Sequence, residues 1–255
     1  MIFKILFAVL FALPAHALIG GSRMHLSSAV YVQELKCSGV LIAPNVVLTA
    51  GHCLFKQSTF FPSVKVRDRV HVHASTERGE KVYRVIATSV DAHPAWRRLI
   101  DQHMNANLAA EAPDAVDLAF IVLDRSIPLA PARLAAAGEP EPTRLVISGW
   151  GCEVVGGPTF TSLKAALVDA SGFGETKVKT ETSDHWTGLL AGHCAGDSGG
   201  GGYLEPVDGE APTLYSINSY LEIPHESGGA KGEVPTISVR LNAPEASAWL
   251  QSLLQ

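Results

Sequence analysis

Short apolar runs, each bounded by turn-forming residues, recur along most of the chain. Valine, isoleucine and leucine dominate these runs, and glycine or proline separates several of them. Many short strands without helices alternating between them favour a β-sandwich or barrel over a parallel α/β sheet. The sequence therefore predicts an all-β fold, built from runs at residues 30–35, 39–42, 46–50, 64–73, 81–89, 118–123, 145–148 and 214–221.

Two stretches depart from this pattern. Residues 95–111 are rich in helix-forming residues and predict a helical insertion. Residues 244–254 place Trp249, Leu250 and Leu253 at helical spacing, which indicates an amphipathic helix at the end of the chain.

The first 17 residues have the pattern of a secretory signal peptide. Lys4 gives a positive start, and the apolar run at 5–13 is shorter than the roughly 20 residues that span a bilayer. Ala15 and Ala17 are small residues at the positions that a signal peptidase reads, so cleavage is expected after Ala17. The alternative is a buried N-terminal helix. We expect a secreted or periplasmic protein with no stable membrane insertion, since no later run reaches 18 apolar residues.

The charge balance excludes some partners. The formal net charge is −5, and it becomes −6 if Lys4 leaves with the signal peptide. This balance argues against nucleic-acid binding, for which a basic stripe is typical. A hydrophobic fraction of 47% with 18% charged residues also excludes a disordered chain.

Three short motifs carry residues that acid–base and nucleophilic chemistry uses. His52 lies in the motif at 48–53, at the end of an apolar run, and a histidine can act as a general base near neutral pH. Asp117 precedes the apolar run at 118–123 and could orient an imidazole, whereas Ser198 lies in a glycine-rich loop and could be a nucleophile. Taken singly, they could equally be a structural histidine, a turn residue at a strand start and a flexible loop.

Taken together, in the order His52, Asp117, Ser198, the motifs resemble the trypsin-like (chymotrypsin-fold) serine peptidases. Residues 18–21 resemble the mature N-terminus of that family, and residues 149–151 resemble the Gly-Trp-Gly that opens its second half. The resemblance extends over nearly all of the chain after residue 17. The chain resembles a secreted member of the family, of bacterial type.

The resemblance implies two packed six-stranded antiparallel β-barrels with a C-terminal helix. Barrel one is expected at about 18–130, barrel two at about 131–242 and the helix at about 243–254. Residues 128–142, which contain four prolines, are the expected seam.

The resemblance also implies the role of each motif residue. Ser198 is the nucleophile, His52 is its general base and acid, and Asp117 orients His52. The backbone N–H groups of Gly196 and Ser198 form the oxyanion hole. Ser219 supports Asp117 and begins the strand along which the substrate pairs.

Asp197 has a separate role by the same resemblance. In this family the acid before the nucleophile pairs with the new α-amino group after processing. Cleavage after Ala17 would leave Leu18 as the first residue, with no propeptide between. We expect the signal peptidase itself to generate the active N-terminus, with a Leu18–Asp197 ion pair.

The four cysteines allow three pairings. The resemblance implies a Cys37–Cys53 disulfide beside His52. Cys152 and Cys194 remain, and the fold places their segments on either side of the oxyanion loop, so we expect a second disulfide there.

The specificity pocket departs from the family pattern. Gly192 stands at the position that forms the bottom of the pocket, so a preference for arginine or lysine is not supported. Leu221, after Tyr220, would narrow the mouth and favour small or medium apolar residues. His193 would instead favour an acidic residue if it faced the pocket.

Other polar residues are weaker candidates. Asp114 and Asp124 lie near Asp117, but neither directly precedes the apolar run. His71 and His73 alternate like a metal pair but are two ligands only, so no metal or cofactor is expected. His93 is expected to be structural.

The predicted function is a secreted serine endopeptidase that acts as a monomer on protein or peptide substrates. Two alternatives remain: a catalytically silent relative that binds a partner, and a serine esterase of a different fold.

Overall fold

The computed structural model describes residues 18, 21–55, 62–76, 79–102, 115–152, 162–188, 190–205, 211–221 and 236–255. The signal peptide predicted at 1–17 lies outside the described residues. The described residues form mostly β-strands: β1 (Ser22–Arg23), β2 (Ala29–Val32), β3 (Cys37–Ala43), β4 (Val46–Thr49), β5 (Arg69–Thr76), β6 (Gly79–Ala92), β7 (Ala119–Leu123), β8 (Arg133–Leu134), β9 (Arg144–Gly149), β10 (Lys164–Phe173), β11 (Lys177–Thr180), β12 (Gly201–Tyr203), β13 (Thr213–Leu221) and β14 (Thr236–Arg240). Three helices join them: α1 (Gly51–Leu54), α2 (Pro94–Gln102) and α3 (Pro244–Leu253).

The first barrel is closed, in the strand order β2-β3-β4-β7-β6-β5. Every pairing in it is antiparallel. The β4–β7 register sets Thr49 opposite Ala119, so His52 follows one strand and Asp117 precedes the other at the same end of the barrel.

The second barrel closes in the order β9-β10-β11-β14-β13-β12, because β10 also pairs with β9 and β12 with β9. The all-β fold of two six-stranded antiparallel barrels is therefore confirmed. Closure leaves few unpaired strand edges, which explains how so many short apolar strands coexist in one chain. The strand β1 pairs with β10 of this barrel. The boundary between the two barrels that was expected near residue 130 stays a prediction.

One large apolar cluster extends from the interior of the first barrel into the second and joins them. All four residues of β2 and all four of β4 are buried, as expected for continuous apolar strands. Trp150, Leu163 and Tyr203 contribute to the same cluster from the second barrel.

The predicted C-terminal helix is confirmed as α3, which packs against the first barrel. The Trp249 ring lies 5.2 Å from the His93 ring and 5.8 Å from the Phe120 ring, measured between centroids. In the region of the predicted insertion, α2 is helical, and residues 103–111 of that prediction lie outside the described residues. None of the helices in the described ranges is long and apolar enough to cross a membrane.

Candidate active site

His52 and Asp117 are brought together by neighbouring strands. His52 lies in α1, a single helical turn directly after β4, and Asp117 lies two residues before β7. The backbone N–H of His52 donates to Oδ1 of Asp117 at 2.8 Å. This bond fixes the carboxylate against the helical turn that carries the imidazole.

The imidazole is oriented by the same carboxylate. Nδ1 of His52 lies 2.8 Å from Oδ2 of Asp117, and the Ser219 hydroxyl donates to this same oxygen at 2.5 Å. An ionised carboxylate can only accept, so Nδ1 carries the proton and Nε2 keeps its lone pair. Asp117 is buried, whereas the His52 side chain is about one-quarter exposed, at 24%. The basic nitrogen of the imidazole is therefore Nε2, which lies 3.8 Å from the Cys53 sulfur.

Electrostatics keep Asp117 ionised and make His52 more basic. Burial lowers the pKa of His52, but the charge of Asp117 and its hydrogen bond together raise the pKa above its usual value. Burial also raises the pKa of Asp117, but the charge of His52, its hydrogen bond and the Ser219 hydroxyl hold that pKa well below its usual range. Asp117 thus stays ionised, and His52 is a stronger base than a free histidine.

Ser198 lies in a tight loop between Cys194 and β12. The N–H of Asp197 donates to the Cys194 carbonyl at 3.0 Å, and the N–H of Gly200 donates to the Asp197 carbonyl at 2.9 Å. Gly196 has a φ of +99°, which glycine adopts without strain. Among the described residues, no acceptor takes the N–H groups of Gly196 and Ser198, so this pair can serve a developing oxyanion.

The loop is attached to the first barrel through Ser38. Both the N–H and the hydroxyl of Ser38 donate to the Gly196 carbonyl, at 2.9 Å and 2.8 Å. The Ser38 hydroxyl also accepts the N–H of Trp150 at 2.9 Å. One serine of β3 therefore ties the oxyanion loop and the end of β9 to the barrel that carries His52.

Gly199 makes a second close approach between the barrels. Its φ is +82°, and a Cβ at this position would overlap Thr49 Oγ1 and the Ser38 carbonyl. Only glycine lets the Ser198 loop lie this close to the residues before His52.

We expect Gly199→Ala to lower the free energy of unfolding by about 3 kcal/mol, because the new methyl group must displace buried backbone and occupies a left-handed conformation. Urea unfolding measures the change. Gly172→Ala is the matched control, since its Cβ would meet only Lys179 Cβ at 3.8 Å, and we expect a change within about 0.5 kcal/mol. Equal losses in the two variants would contradict the close packing described for Gly199.

No hydrogen bond joins Ser198 Oγ to His52 Nε2 within the described part of the chain. The Ser198 loop approaches the strand before His52 where Gly199 lies against Thr49. Hydrogen bonds between nucleophile and base are often long without substrate, so this geometry is compatible with proton transfer in a complex.

Asp197 is fully buried and accepts two backbone N–H groups. Gly151 donates to Oδ1 and Cys194 donates to Oδ2, each at 2.7 Å. Burial raises the pKa of Asp197 to about 7, although these two hydrogen bonds act in the opposite direction. A buried carboxylate held this way lacks only a cation to stabilise its charge.

Leu18 is buried close to the end of β9. Its side chain packs with Ile147, Ala166, Val168 and Ala191. Ile147 is two residues before Gly149, whose α-carbon lies against the Asp197 carboxylate. In the full chain residue 17 precedes Leu18, so the Leu18 nitrogen is an amide and carries no charge.

Two disulfides flank the site. Cys37 is bonded to Cys53, next to His52, and Cys152 is bonded to Cys194, at the start of the Ser198 loop. The sulfurs of Cys37 and Cys53 lie within 4.8 Å of a His52 nitrogen, but their mutual bond removes the thiolates that would bind a metal ion.

The expected specificity residues have different surroundings. A Cβ at Gly192 would meet nothing within 4 Å among the described residues. His193 is buried, Nε2 of its ring has no hydrogen-bond partner in the described part, and burial lowers its pKa to about 3. Tyr220 is exposed on β13, whereas the Leu221 side chain lies outside the described residues.

The remaining candidates have structural partners. Asp124 accepts the Ile86 N–H at 2.9 Å and directly follows β7, whereas Asp114 lies outside the described residues. His71 contacts the Glu34 carboxylate at 2.7 Å, and His73 contacts Glu80 at 2.9 Å. His93 accepts the Ala95 N–H at the start of α2 and packs on Trp249.

Sequence reasoning missed Ser38, Asn218 and Lys177. The Asn218 amide donates to the carbonyls of Ser148 and Asp197, and its backbone carbonyl accepts the Gly199 N–H. The sequence positions of two of these residues could have indicated that they lie near the site. Ser38 follows a cysteine of the disulfide beside His52, and Asn218 precedes Ser219. No signal marked Lys177, whose charge acts on both His52 and Asp117.

The chain is similar to known proteins over most of its length. The family model described as Trypsin matches residues 19–249. The chain is 30% identical to proproteinase E of Bos taurus, with 81% of this chain and 79% of the relative covered. It is also 30% identical to chymotrypsin-like elastase family member 3B of Macaca mulatta, with 81% and 78% covered. Serine protease SP24D of Anopheles gambiae is 29% identical, with 71% and 62% covered. These relatives are animal proteins, and the bacterial type stays a prediction.

Proposed function

Because this chain belongs to the trypsin family and is a serine endopeptidase, we propose that it cuts peptide bonds through an acyl-enzyme on Ser198. His52 acts as general base and acid, and Asp117 orients it. The observation that carries this proposal is the Asp117 carboxylate, which binds both the backbone N–H and Nδ1 of His52 and leaves Nε2 basic.

The reaction begins when a peptide carbonyl lies against the Ser198 loop. His52 Nε2 takes the Ser198 proton as Oγ attacks the carbonyl carbon, and Asp117 stabilises the imidazolium that forms. The Gly196 and Ser198 N–H groups receive the oxyanion, each donor contributing about 3 kcal/mol. His52 then gives its proton to the leaving amine, and a water activated by the same nitrogen hydrolyses the acyl-enzyme.

The substrate backbone is proposed to pair with β13 beyond Asn218. The described pairings of β12 with β13 end at Ile217, whereas Tyr220 and Leu221 pair with β14. Residues 219–221 therefore have an edge to which an extended peptide can add as a strand.

We assign the primary pocket to Gly192 and His193. Gly192 supplies no carboxylate, and no described residue fills the space beside it. With its pKa lowered to about 3, His193 is neutral near pH 7 and provides no positive charge for an acidic side chain. This supports a preference for small or medium uncharged residues.

Export and activation form part of the proposal. The predicted signal peptidase cut after Ala17 would give the buried Leu18 a free α-amino group, and Asp197 is the acid available for it. The protein would then act outside the cytoplasm, as a monomer, on protein or peptide substrates.

A fluorophosphonate probe tests the proposed chemistry. We expect the mature protein to be labelled at Ser198 and Ser198→Ala to remain unlabelled. Ser252→Ala, which changes an exposed hydroxyl on α3, is the matched control and should label like the unaltered protein. Absence of labelling in the mature protein would favour the catalytically silent alternative. The esterase alternative needs its serine on a strand-to-helix turn, whereas Ser198 lies in a loop that leads into β12.

A further inference from the structure

The ring of Trp96, in the helix α2, lies directly against Gly51, the first residue of the α1 turn that carries His52. A Cβ added at Gly51 would meet Cδ1, Cγ and Nε1 of that ring at 2.6, 2.7 and 2.8 Å, which is closer than real Cβ atoms approach other atoms. Gly51 is buried, and its φ lies outside the left-handed region, so its backbone conformation does not require a glycine. The tryptophan ring therefore explains the glycine, because it takes the place of a side chain at position 51.

The segment that leads into α2 is tied to the segment that carries Asp117. The N–H of His93 donates to the Leu118 carbonyl at 2.9 Å, and Leu118 directly follows Asp117. The N–H of Arg97 then donates to the His93 carbonyl at 3.0 Å, inside the first turn of α2. The helix therefore starts beside the segment that presents the carboxylate and reaches across to the turn that presents the imidazole.

Arg97 gives α2 a second contact with the α1 turn. Its guanidinium carbon lies 5.2 Å from the centroid of the Phe55 ring, within the range of a cation–π contact, and Phe55 is the residue that caps the end of α1. Ile100 of α2 is buried in the large apolar cluster, which fixes the helix to the first barrel. Both ends of the α1 turn are thus in contact with one anchored helix.

The α1 turn needs support from outside because it is short. It has four residues, and no side chain caps its N-terminus at Ala50. A helix of one turn is unstable by itself, whereas proton transfer requires the base to be held to within a fraction of an ångström. The two contacts of His52 with Asp117, from the backbone N–H and from Nδ1, are each 2.8 Å long, so a shift of the turn lengthens both together.

We propose that Trp96 is a positioning residue for His52: its ring fills the position of a Gly51 side chain and holds the α1 turn against Asp117. Trp96 acts through Gly51 and the turn rather than by touching the substrate. The role depends on the shape of the ring, because the buried Nε1 of Trp96 has no hydrogen-bond partner among the described residues. This gives the helical insertion a part in catalysis, and the inference rests on the proposed function.

A double-mutant cycle between positions 51 and 96 provides the test. Trp96→Ala empties the space, Gly51→Ala overlaps the ring, and the two combined give the new methyl group room. Trp96→Phe is the conservative variant, and Trp186→Ala is the matched control, because it removes an exposed tryptophan that follows β11. Active sites are counted by labelling with the fluorophosphonate probe, so that kcat refers to folded enzyme.

We expect Trp96→Ala to lower kcat about 10- to 30-fold and to change KM less than about twofold, because a displaced base impairs proton transfer and leaves substrate binding intact. Gly51→Ala should lower kcat at least as much in the unaltered chain, whereas adding it to Trp96→Ala should cause no further loss. Trp96→Phe should retain kcat within about threefold, and Trp186→Ala should leave it unchanged.

The pH profile separates a positioning role from a loss of stability. Burial lowers the pKa of His52, and the charge and hydrogen bond of Asp117 raise that pKa above its usual value, against a smaller lowering by the charge of Lys177. A turn that moves away from Asp117 loses part of this increase, so the acid limb of the kcat/KM profile moves to lower pH in Trp96→Ala. The limb stays in place in Trp96→Phe and in Trp186→Ala. A variant that is only less stable has fewer labelled sites and an unchanged limb.

Three results would overturn the inference: a loss in Trp96→Ala that lies in KM, an acid limb that does not move, or a Gly51→Ala loss that is the same with and without Trp96. If Trp96→Ala does not fold, Trp96→Leu takes its place in the cycle with the same expectations. Each of these results can occur in a chain whose unaltered form labels normally. Failure of the proposed function is a different result, namely no labelling of the unaltered mature protein by the probe.

Discussion

We expect Ser198→Ala to lower kcat by about 10⁶-fold, and the double variant that adds His52→Ala to lower it no further. The two residues act as one unit, because a base without a nucleophile has no proton to accept and a serine without its base is a weak nucleophile. The remaining rate above the uncatalysed reaction comes from the Gly196 and Ser198 amides, which neither substitution removes.

The measurement is kcat for a fluorogenic peptide, followed over days for the slow variants. Ser252→Ala is the control and should retain the full rate, since its hydroxyl only contacts the Trp249 carbonyl on α3. Asp117→Asn should lose about 10⁴-fold, because an amide in place of the carboxylate favours the wrong tautomer of His52. A further large loss on combining Ser198→Ala with His52→Ala would mean that the two residues act independently and would contradict the proposed mechanism.

The all-β class was predictable because it depends on local patterns, whereas the His52–Asp117 contact was predictable from the family that the motifs resemble. Each motif residue lies next to an apolar strand or in a glycine-rich loop, and β-strands of this kind are recognisable in sequence. The order of the motifs then identified the family, and the family gave the pairing of strands that sequence periodicity could not give.

The parts that were missed depend on contacts between distant segments. Ser38 and Gly196 are far apart in the sequence, and nothing local to Ser38 shows that its hydroxyl will meet an oxyanion loop. Lys177 reaches the Tyr220 ring across an intervening strand, which requires the register of three strands. A serine or lysine on a strand has no sequence signature for such a role, because its neighbours are set by barrel closure.

We expect Asp197→Asn to lower the activity of the mature form. In a form extended before Leu18, we expect it to remove a loss of stability with rising pH. In the proposed mature form, which would begin at Leu18, it removes the proposed partner of the new α-amino group and the support of the Gly196 and Ser198 amides. Losing those donors should lower kcat/KM by about 10³-fold or more. In a form extended before Leu18, the Leu18 nitrogen is an uncharged amide, so Asp197 has no α-amino partner there. The substitution then removes the buried negative charge that Asp197 carries above about pH 7.

The sign of the pH dependence follows from the pKa of Asp197. In the extended form that pKa is about 7 against 3.8 for an exposed aspartate, so the folded state holds its proton more tightly than the unfolded state. Stability from this group is complete below pH 4 and is lost as the pH rises to about 7, a difference on the order of 4 kcal/mol. An asparagine side chain has no proton to lose in this range, so the decline should disappear in Asp197→Asn.

Urea unfolding of both forms between pH 4 and pH 8 measures this effect, with a removable extension before Leu18 and N-terminal sequencing to establish the start. Asp184→Asn is the matched control, because Asp184 is equally buried but accepts the N–H groups of Leu167 and Trp186 instead. It should destabilise the two forms equally. The buried His193, whose pKa is lowered to about 3, changes stability in the opposite direction over this range, so the Asp197 contribution is the difference between the unaltered chain and Asp197→Asn. If that difference does not depend on pH in the extended form, or if freeing Leu18 leaves it unchanged, Asp197 is not the acid that receives the N-terminus. A secreted protein that begins anywhere other than Leu18 would equally rule out activation by the signal peptidase.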